Sequence, residues 1–244
     1  MISSSASRPS VLPSLPGLAV WRIPLEAPGA ELPALAALLS PGERVRAERF
    51  RPPGAWRRFV VAHGWLRRLL GAAVDADPAS LEFAAGPWGK PALAGPWAAA
   101  GLAFNLSHSH ELALLAVTTG RAVGVDLERL RPMPRAAQMA ERYFAAPERA
   151  DLARMAGTAE EAKTFFNCWT RKEAFVKAQG LGLAWPLDSF AVSCLPGEAA
   201  RLAWCREGPA EAARWQLAEL QPGAGYVGAL VVEAGPDRAG AFAA

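Results

Sequence analysis

Residues 104–128, FNLSHSHELALLAVTTGRAVGVDLE, constrain what this chain can become more than any other stretch. Leu112–Val117 and Ala122–Leu127 are two apolar, β-prone runs, and Thr118-Thr119-Gly120-Arg121 between them carries turn chemistry. The expected structure is one β-hairpin. Side chains on a strand alternate with period two, so Asp126 and Glu128 share one face while Val125 and Leu127 take the other. Two carboxylates that close repel each other unless something positive sits between them. Either the strand end is fully wet or it is a cation site, and the choice depends on a partner from elsewhere in the chain.

At 244 residues the chain can build one large domain or two small ones around an ample core. A hydrophobic share of 52% and a charged share of 20% are those of a globular protein. The net charge of +3 is mildly basic, and nearly all of the basic residues are arginine, which suits planar, bidentate binding of phosphate. Cys168, Cys194 and Cys205 make an odd count without metal-ligand spacing, so a reduced, cytoplasmic protein is expected. The Ser- and Pro-rich start lacks the basic end and continuous apolar core of a signal peptide, and residues 1–16 are expected to be a disordered tail. No apolar run approaches the ~20 residues of a membrane span.

Leu18–Leu25 has the pattern of a first strand limited by Pro24. A short helix follows over Glu31–Leu39. Ser40, Pro41 and Glu43 form a capping box that opens a second helix reaching about Arg51, where Pro52-Pro53-Gly54 breaks it. Ala55–Leu70 repeats apolar residues at helical spacing, with Gly71 as its expected stop. From Arg44 to Arg68 these two helices carry eight arginines, either a solvated basic surface or an anion-binding one. His63 falls within the apolar stripe and is expected in the core. Leu81-Glu82-Phe83 is a possible strand, 86–91 a rigid turn presenting Lys90, and 94–100 a loop. Short helices are expected over Ala136–Phe144 and Pro147–Met155, and a long one from Ala159 to about Gln179, stopped by Gly180 and Gly182. Phe190–Cys194, Arg201–Cys205, Trp215–Leu220 and Gly225–Glu233 have the pattern of strands, and the residues after 234 that of a loose tail.

In the long helix Phe165, Trp169, Glu173 and Lys177 stand at successive i+4 steps and form one stripe. Glu173 and Lys177 could simply be an exposed i,i+4 pair. Because they continue an apolar stripe, they should sit where the helix leaves the core, at a cleft. If Glu173 meets Asp126 and Glu128, three carboxylates surround one point. Hard oxygen ligands without Cys or His favour Mg²⁺, and Lys172, Lys177, Lys90 and the arginine helices would offset the charge of a polyphosphate. Competing motifs fail. There is no phosphate loop of the G-x-x-x-x-G-K-[ST] type. His108-Ser109-His110 lacks a third metal ligand, and Ser107 or Ser109 with His108 and Asp126 lacks a G-x-S-x-G elbow.

Taken in order, W-G-K-P at 88–91, F-N-L-S-H-S at 104–109, G-V-D-L-E at 124–128, W-T-R-K-E-A-F-V-K-A-Q-G-L-G-L at 169–183 and P-L-D-S-F-A-V at 186–192 resemble the 4'-phosphopantetheinyl transferases of the two-domain, Sfp-like type. The likeness extends more weakly over 40–68. It implies an α+β fold of two similar α/β subdomains related by a pseudo-twofold, with the active site in the cleft between them. The parts would be a subdomain over 17–119 that contacts the nucleotide of coenzyme A and a subdomain over 120–234 that carries Mg²⁺ and catalysis, with 235–244 a loose tail. By the same likeness Asp126, Glu128 and Glu173 hold Mg²⁺ on the pyrophosphate. Lys90, Ser107 and His108 match positions at the nucleotide phosphates, with Arg46 and Arg58 as further basic contacts, and Lys172 meets phosphate or carrier. The sequence departs from the family pattern at Glu43, often a basic position, and at Ala55-Trp56-Arg57-Arg58-Phe59, which keeps only Arg58 and the aromatic of a D-R-x-R-F run. Arg44, Arg51 or Arg57 could then substitute at the 3'-phosphate.

The implied reaction moves phosphopantetheine from coenzyme A to a serine of an apo acyl- or peptidyl-carrier protein and releases adenosine 3',5'-bisphosphate. Glu173, directly or through a water on the metal, would take the serine proton, and Lys177 would offset charge on the leaving group. The carboxylates Asp126 and Glu128 complete the catalytic set. The pseudo-dimeric form suggests a monomer, with no nucleic-acid or membrane partner. Two other classes stay open: a nucleic-acid-binding protein using the Arg44–Arg68 helices, and a catalytically idle coenzyme-A- or carrier-binding protein.

Overall fold

A computed structural model describes residues 8–26, 29–182 and 185–235. In chain order it contains β1 (Ser10–Leu12), β2 (Leu18–Pro24), α1 (Leu32–Ala37), α2 (Pro41–Glu48), α3 (Ala55–Ala73), β3 (Phe83–Ala85), β4 (Pro91–Leu93), β5 (Leu102–Ser109), β6 (Leu112–Thr119) and β7 (Val123–Arg129). Then follow α4 (Ala136–Tyr143), α5 (Ala146–Met155), α6 (Glu161–Gln179), β8 (Phe190–Val192), β9 (Leu202–Cys205), α7 (Pro209–Ala213), β10 (Trp215–Leu220) and β11 (Tyr226–Glu233). The mixed α/β class agrees with the expectation.

The element starts follow local chemistry. Ser40 accepts the Glu43 N–H and Glu43 accepts the Ser40 N–H, so both halves of the box that opens α2 are made. Glu43 also accepts from the buried Arg67 (2.7 Å), whose guanidinium donates further to the carbonyls of Pro78 and Leu81. Arg67 is therefore a strut of the fold, not part of a solvated basic surface. Gly71, expected as a helix stop, lies inside α3, where a Cβ would press on the Ala76 carbonyl and on Pro78. At the end of α6 Gly180 adopts φ +70° and caps the helix, as its position suggested.

Two larger expectations also fail. Ser10–Leu12, assigned to a disordered tail, pairs antiparallel with β2, so the ordered chain starts before residue 16; residues 1–7 and 236–244 lie outside the described residues, as does Leu183. More important, β6 and β7 are not a hairpin. β6 pairs with β5 and β2 in the sheet β1-β2-β6-β5, whereas β7 pairs with β11 in the sheet β10-β11-β7. The hairpin is β5–β6, turned at His110-Glu111. Residues 120–122 instead carry the chain from one sheet to the other, and there the Arg121 guanidinium donates to the Pro16 carbonyl.

The two sheets pack through the alternating faces of their strands. Leu18 and Val20 of β2 and Leu112, Leu114 and Ala116 of β6 meet Val123, Val125 and Leu127 of β7, with Leu230 and Val232 of β11. The opposite faces carry helices. Ala113, Leu115 and Val117 pack with α1 and α3, and Val227, Ala229 and Val231 pack with the apolar side of α6. The order of layers is helix, sheet, sheet, helix.

Candidate active site

β5 and β7 lie along each other where the two sheets meet, and side chains bridge them. Asn105, Ser107 and Ser109 share one face of β5. Asn105 Oδ1 accepts the Val125 N–H (2.8 Å), Ser107 Oγ donates to Asp126 Oδ1 (2.7 Å), and Ser109 Oγ donates to Glu128 Oε2 (3.0 Å). Sequence reasoning gave Asn105 no role and weighed Ser109 only for a hydrolase triad. Their signal is a run of three short polar residues at period two inside an otherwise apolar strand, opposite acids at the same period.

On β7, Asp126 and Glu128 share a face with Gly124, as the alternation requires. That face lies under α6. A Cβ at Gly124 would overlap the Ala174 carbonyl oxygen and the Ala178 backbone nitrogen, so only glycine lets the helix approach this closely. The close contact brings Lys177 over Asp126. Its ammonium donates to Asp126 Oδ1 (2.6 Å) and to Ser107 Oγ (3.1 Å). Glu173, one turn earlier, faces the same space, and its Oε1 is buried with no hydrogen-bond partner.

These groups line a cavity of about 850 Å³. Its polar lining includes Ser107, His108, Asp126, Glu128, Glu173 and Lys177, with Arg142 and Asp188, and its apolar lining includes Tyr143, Trp169, Trp185 and Leu187. Trp169, Glu173 and Lys177 thus leave the core into one cleft, as their stripe suggested. Burial pushes the Glu173 carboxyl above its ordinary range, helped by the negative charges of Asp126 and Glu128 and opposed by Lys177. Burial also raises Asp126, against the pull of Lys177 and Ser107.

The three carboxylates share the cavity, but each of the two on β7 is turned to a protein cation or hydroxyl. Asp126 holds Lys177, and Glu128 holds Ser109 and Arg131 (3.1 Å). Among the described residues no three Asp, Glu, His or Cys side chains are gathered closely enough to hold a metal as they stand. The donor set nonetheless suits a hard cation: it is all oxygen, crowded with negative charge, and one carboxylate oxygen is buried without a partner.

A second cavity of about 330 Å³ is lined by Phe50, Ala55, Arg58, Phe59, His108 and His110. His108 belongs to both walls. Arg58 is therefore placed for an anion, whereas Arg46 is exposed, has its guanidinium 5.5 Å from the Phe59 ring, and lines neither cavity.

Two lysines expected at a ligand are used elsewhere. Lys90 Nζ donates to the carbonyls of Val123 (2.8 Å), Lys177 (2.7 Å) and Ala178 (3.2 Å), and burial lowers its pKa to about 8. It ties the β3–β4 turn to the end of α6. Lys172 is wholly buried on the far side of α6, on Glu148 (2.8 Å) and on the carbonyls of Leu187 and Phe190 (both 2.7 Å). One residue of helix rotation, about 100°, turns it away from Glu173 and out of reach of the cleft.

A mixed α/β fold with a large cleft, lined by acids and an ammonium where two sheets join, has the form of an enzyme site. Comparison makes the class definite. The family model described as the 4'-phosphopantetheinyl transferase superfamily matches residues 122–231. The chain is 41% identical over 213 residues to the 4'-phosphopantetheinyl transferase HetI of Nostoc sp., covering 87% of this chain and 86% of that protein. It is 36% identical over 179 residues to a putative 4'-phosphopantetheinyl transferase of Synechocystis sp., covering 71% and 69%. It is 29% identical over 156 residues to 4'-phosphopantetheinyl transferase Sfp of Bacillus subtilis, covering 64% and 66%. The chain belongs to the 4'-phosphopantetheinyl transferase superfamily and is a transferase. Among the described residues no helix is long and apolar enough to cross a membrane.

Proposed function

We propose that the protein transfers 4'-phosphopantetheine from coenzyme A to a serine hydroxyl of an apo acyl- or peptidyl-carrier protein, with Mg²⁺, releasing adenosine 3',5'-bisphosphate. The observation that carries this reading is the approach of α6 to Gly124, which sets Glu173 and Lys177 over Asp126 and Ser107 in one cleft. Neither a nucleic-acid-binding protein nor an idle binding protein accounts for a carboxylate oxygen buried there without a partner.

Asp126, Glu128 and Glu173 would hold Mg²⁺, which when bound supplies positive charge to the pyrophosphate. Glu173, which lines the cleft one helical turn from Lys177, is the base that takes the proton of the serine hydroxyl. Lys177, held by Asp126 and Ser107, can turn its ammonium to the departing bisphosphate and give it a proton. Ser107 orients both side chains. Arg58 and His108, on the second cavity, would take the phosphorylated nucleotide end. Lys90 and Lys172 are left to hold the fold.

The reading also takes the molecule as two similar halves, 17–119 and 120–234, related by a pseudo-twofold. Each has a sheet backed by a 19-residue helix, α3 or α6, and the halves join at Gly120-Arg121. A monomer would then hold the whole site, and a reducing, cytoplasmic setting suits the three free cysteines.

The test is a mass measurement. Purified protein with coenzyme A, Mg²⁺ and an apo carrier should add the phosphopantetheine mass to the carrier. Glu173→Ala should lower turnover at saturating coenzyme A by at least about 100-fold, the scale of losing a general base. Chelation of divalent ions should stop the reaction. An Ala variant with wild-type turnover would sink the mechanism.

A further inference from the structure

His110 lines the second cavity and has no part in the transfer itself. It stands at the turn of the β5–β6 hairpin with its backbone in the left-handed region, φ +54°. The lining of that cavity has three basic residues, Arg58, His108 and His110, two aromatic ones, Phe50 and Phe59, and no carboxylate. A concave site with that balance suits an anionic group. Of the eight arginines from Arg44 to Arg68 only Arg58 lines it. Arg44 donates to the carbonyls of Ala37 and Leu39, Arg67 is held on Glu43 and Arg68 on Glu31. The remaining positive character must therefore come from β5 and its turn.

The surroundings of His110 leave it available for a ligand. Ser109 Oγ gives its proton to Glu128 (3.0 Å) and stands 3.3 Å from His110 Nδ1, so this hydroxyl can only accept from the ring. The neighbouring carboxylate, Glu111, takes the Tyr226 hydroxyl (3.0 Å) and faces Arg129 (3.8 Å). Among the described residues His110 Nε2 has no hydrogen-bond partner. We propose that His110 is a specificity-determining residue for coenzyme A: as an imidazolium it keeps Nδ1–H on Ser109 and donates Nε2–H to the 3'-phosphate, beside Arg58 and His108. The proposal rests on coenzyme A being the substrate, with its pyrophosphate at the acids of the large cleft. His108 lines both cavities, so one ligand can reach from the first into the second. With the pyrophosphate committed to the cleft, the anionic group left for the second cavity is the 3'-phosphate. His110 then favours coenzyme A over a form without that phosphate.

The test compares two ligands that differ by one phosphate. Calorimetric binding of coenzyme A and of coenzyme A lacking its 3'-phosphate is measured, with Mg²⁺, for the full chain and for His110→Asn. Asparagine tolerates the left-handed backbone and removes the imidazole. The variant should bind coenzyme A about five- to tenfold more weakly, the scale of one net hydrogen bond, with its affinity for the dephosphorylated form unchanged. His110→Gly, unstrained at this φ, serves the same comparison if the Asn variant does not fold. Unchanged coenzyme A affinity overturns the proposal, and so does an equal loss for both ligands, which a purely structural role for the turn would give. Failure of the underlying reading looks different: the wild-type protein then binds neither ligand and leaves the apo carrier's mass unaltered.

Discussion

Lys172 and Glu148 show how a charged pair can be indispensable without touching substrate. Both are almost fully buried, and each satisfies several backbone groups. Lys172 donates to Leu187 and Phe190 carbonyls and lies 4.2 Å from the Phe190 ring centroid, and Glu148 accepts the N–H groups of Ala145 and Val192. Together they tie α5 and the segment after α6 to the helix that carries Glu173. Removing one partner leaves a buried charge uncompensated. Lys172→Met should therefore cost about 3–5 kcal/mol in urea unfolding, and adding Glu148→Gln should recover part of it. Additive losses would mean that the pair does not act as a unit. His63 makes a second residue-scale case. Burial lowers its imidazole to about 4 from 6.5, against the pull of Glu43 and the Phe59 carbonyl and with smaller pushes from Arg46 and His108. Its folded pKa lies below the unfolded one, so from about pH 6.5 down to 4 the unfolded chain binds more protons and stability falls as pH falls. Between pH 7 and pH 5 the wild type should lose about 1–2 kcal/mol more than His63→Gln. Equal losses in the two proteins would refute the assignment.

At the scale of elements, the contact between α6 and β7 decides the site. Gly124→Ala has no flexible side chain to push aside, because the atoms in the way are helix backbone. The helix must lift, at a cost of about 1–3 kcal/mol or more, and lifting separates Lys177 from Asp126. Activity should drop by at least about tenfold in a protein that still folds at 25 °C, measured by carrier mass shift beside a thermal melt. Unchanged activity would show that the close approach is not what sets the geometry. The D-x-E pair, the stripe on α6 and the Gly180 stop were legible in the sequence because each is local: period two, period 3.6, and a left-handed cap. The partner of β7 was not legible. β6 is apolar on both faces, since one packs on helices and the other on the second sheet, so nothing in its pattern tells a hairpin from a crossing between sheets. Lys90 and Lys172 were misplaced for a related reason. A lysine's pattern in sequence does not reveal whether backbone carbonyls wait for its ammonium, and here they do.

For the whole molecule, the consequence of two sheets packed face to face is that they share one of its three core clusters. Leu114, fully buried on β6, packs in the same cluster as Val125 of β7 and Leu230 of β11. Asp126 of one sheet is held by Ser107 of the other. The halves should therefore unfold together, although each has a helix-covered cluster of its own. Tryptophans occur on both sides of the join, Trp21 and Trp65 before it and Trp169 and Trp215 after it, so fluorescence samples both halves while far-UV circular dichroism follows all elements. The two signals should give one coincident urea transition. Leu114→Ala, which empties a site between the sheets, should move that transition as a whole by about 2–5 kcal/mol. Two separate transitions, with only the first shifted by Leu114→Ala, would mean that the sheets are independent. The cleft would then be an interface between two movable bodies, not a site held fixed by a shared core.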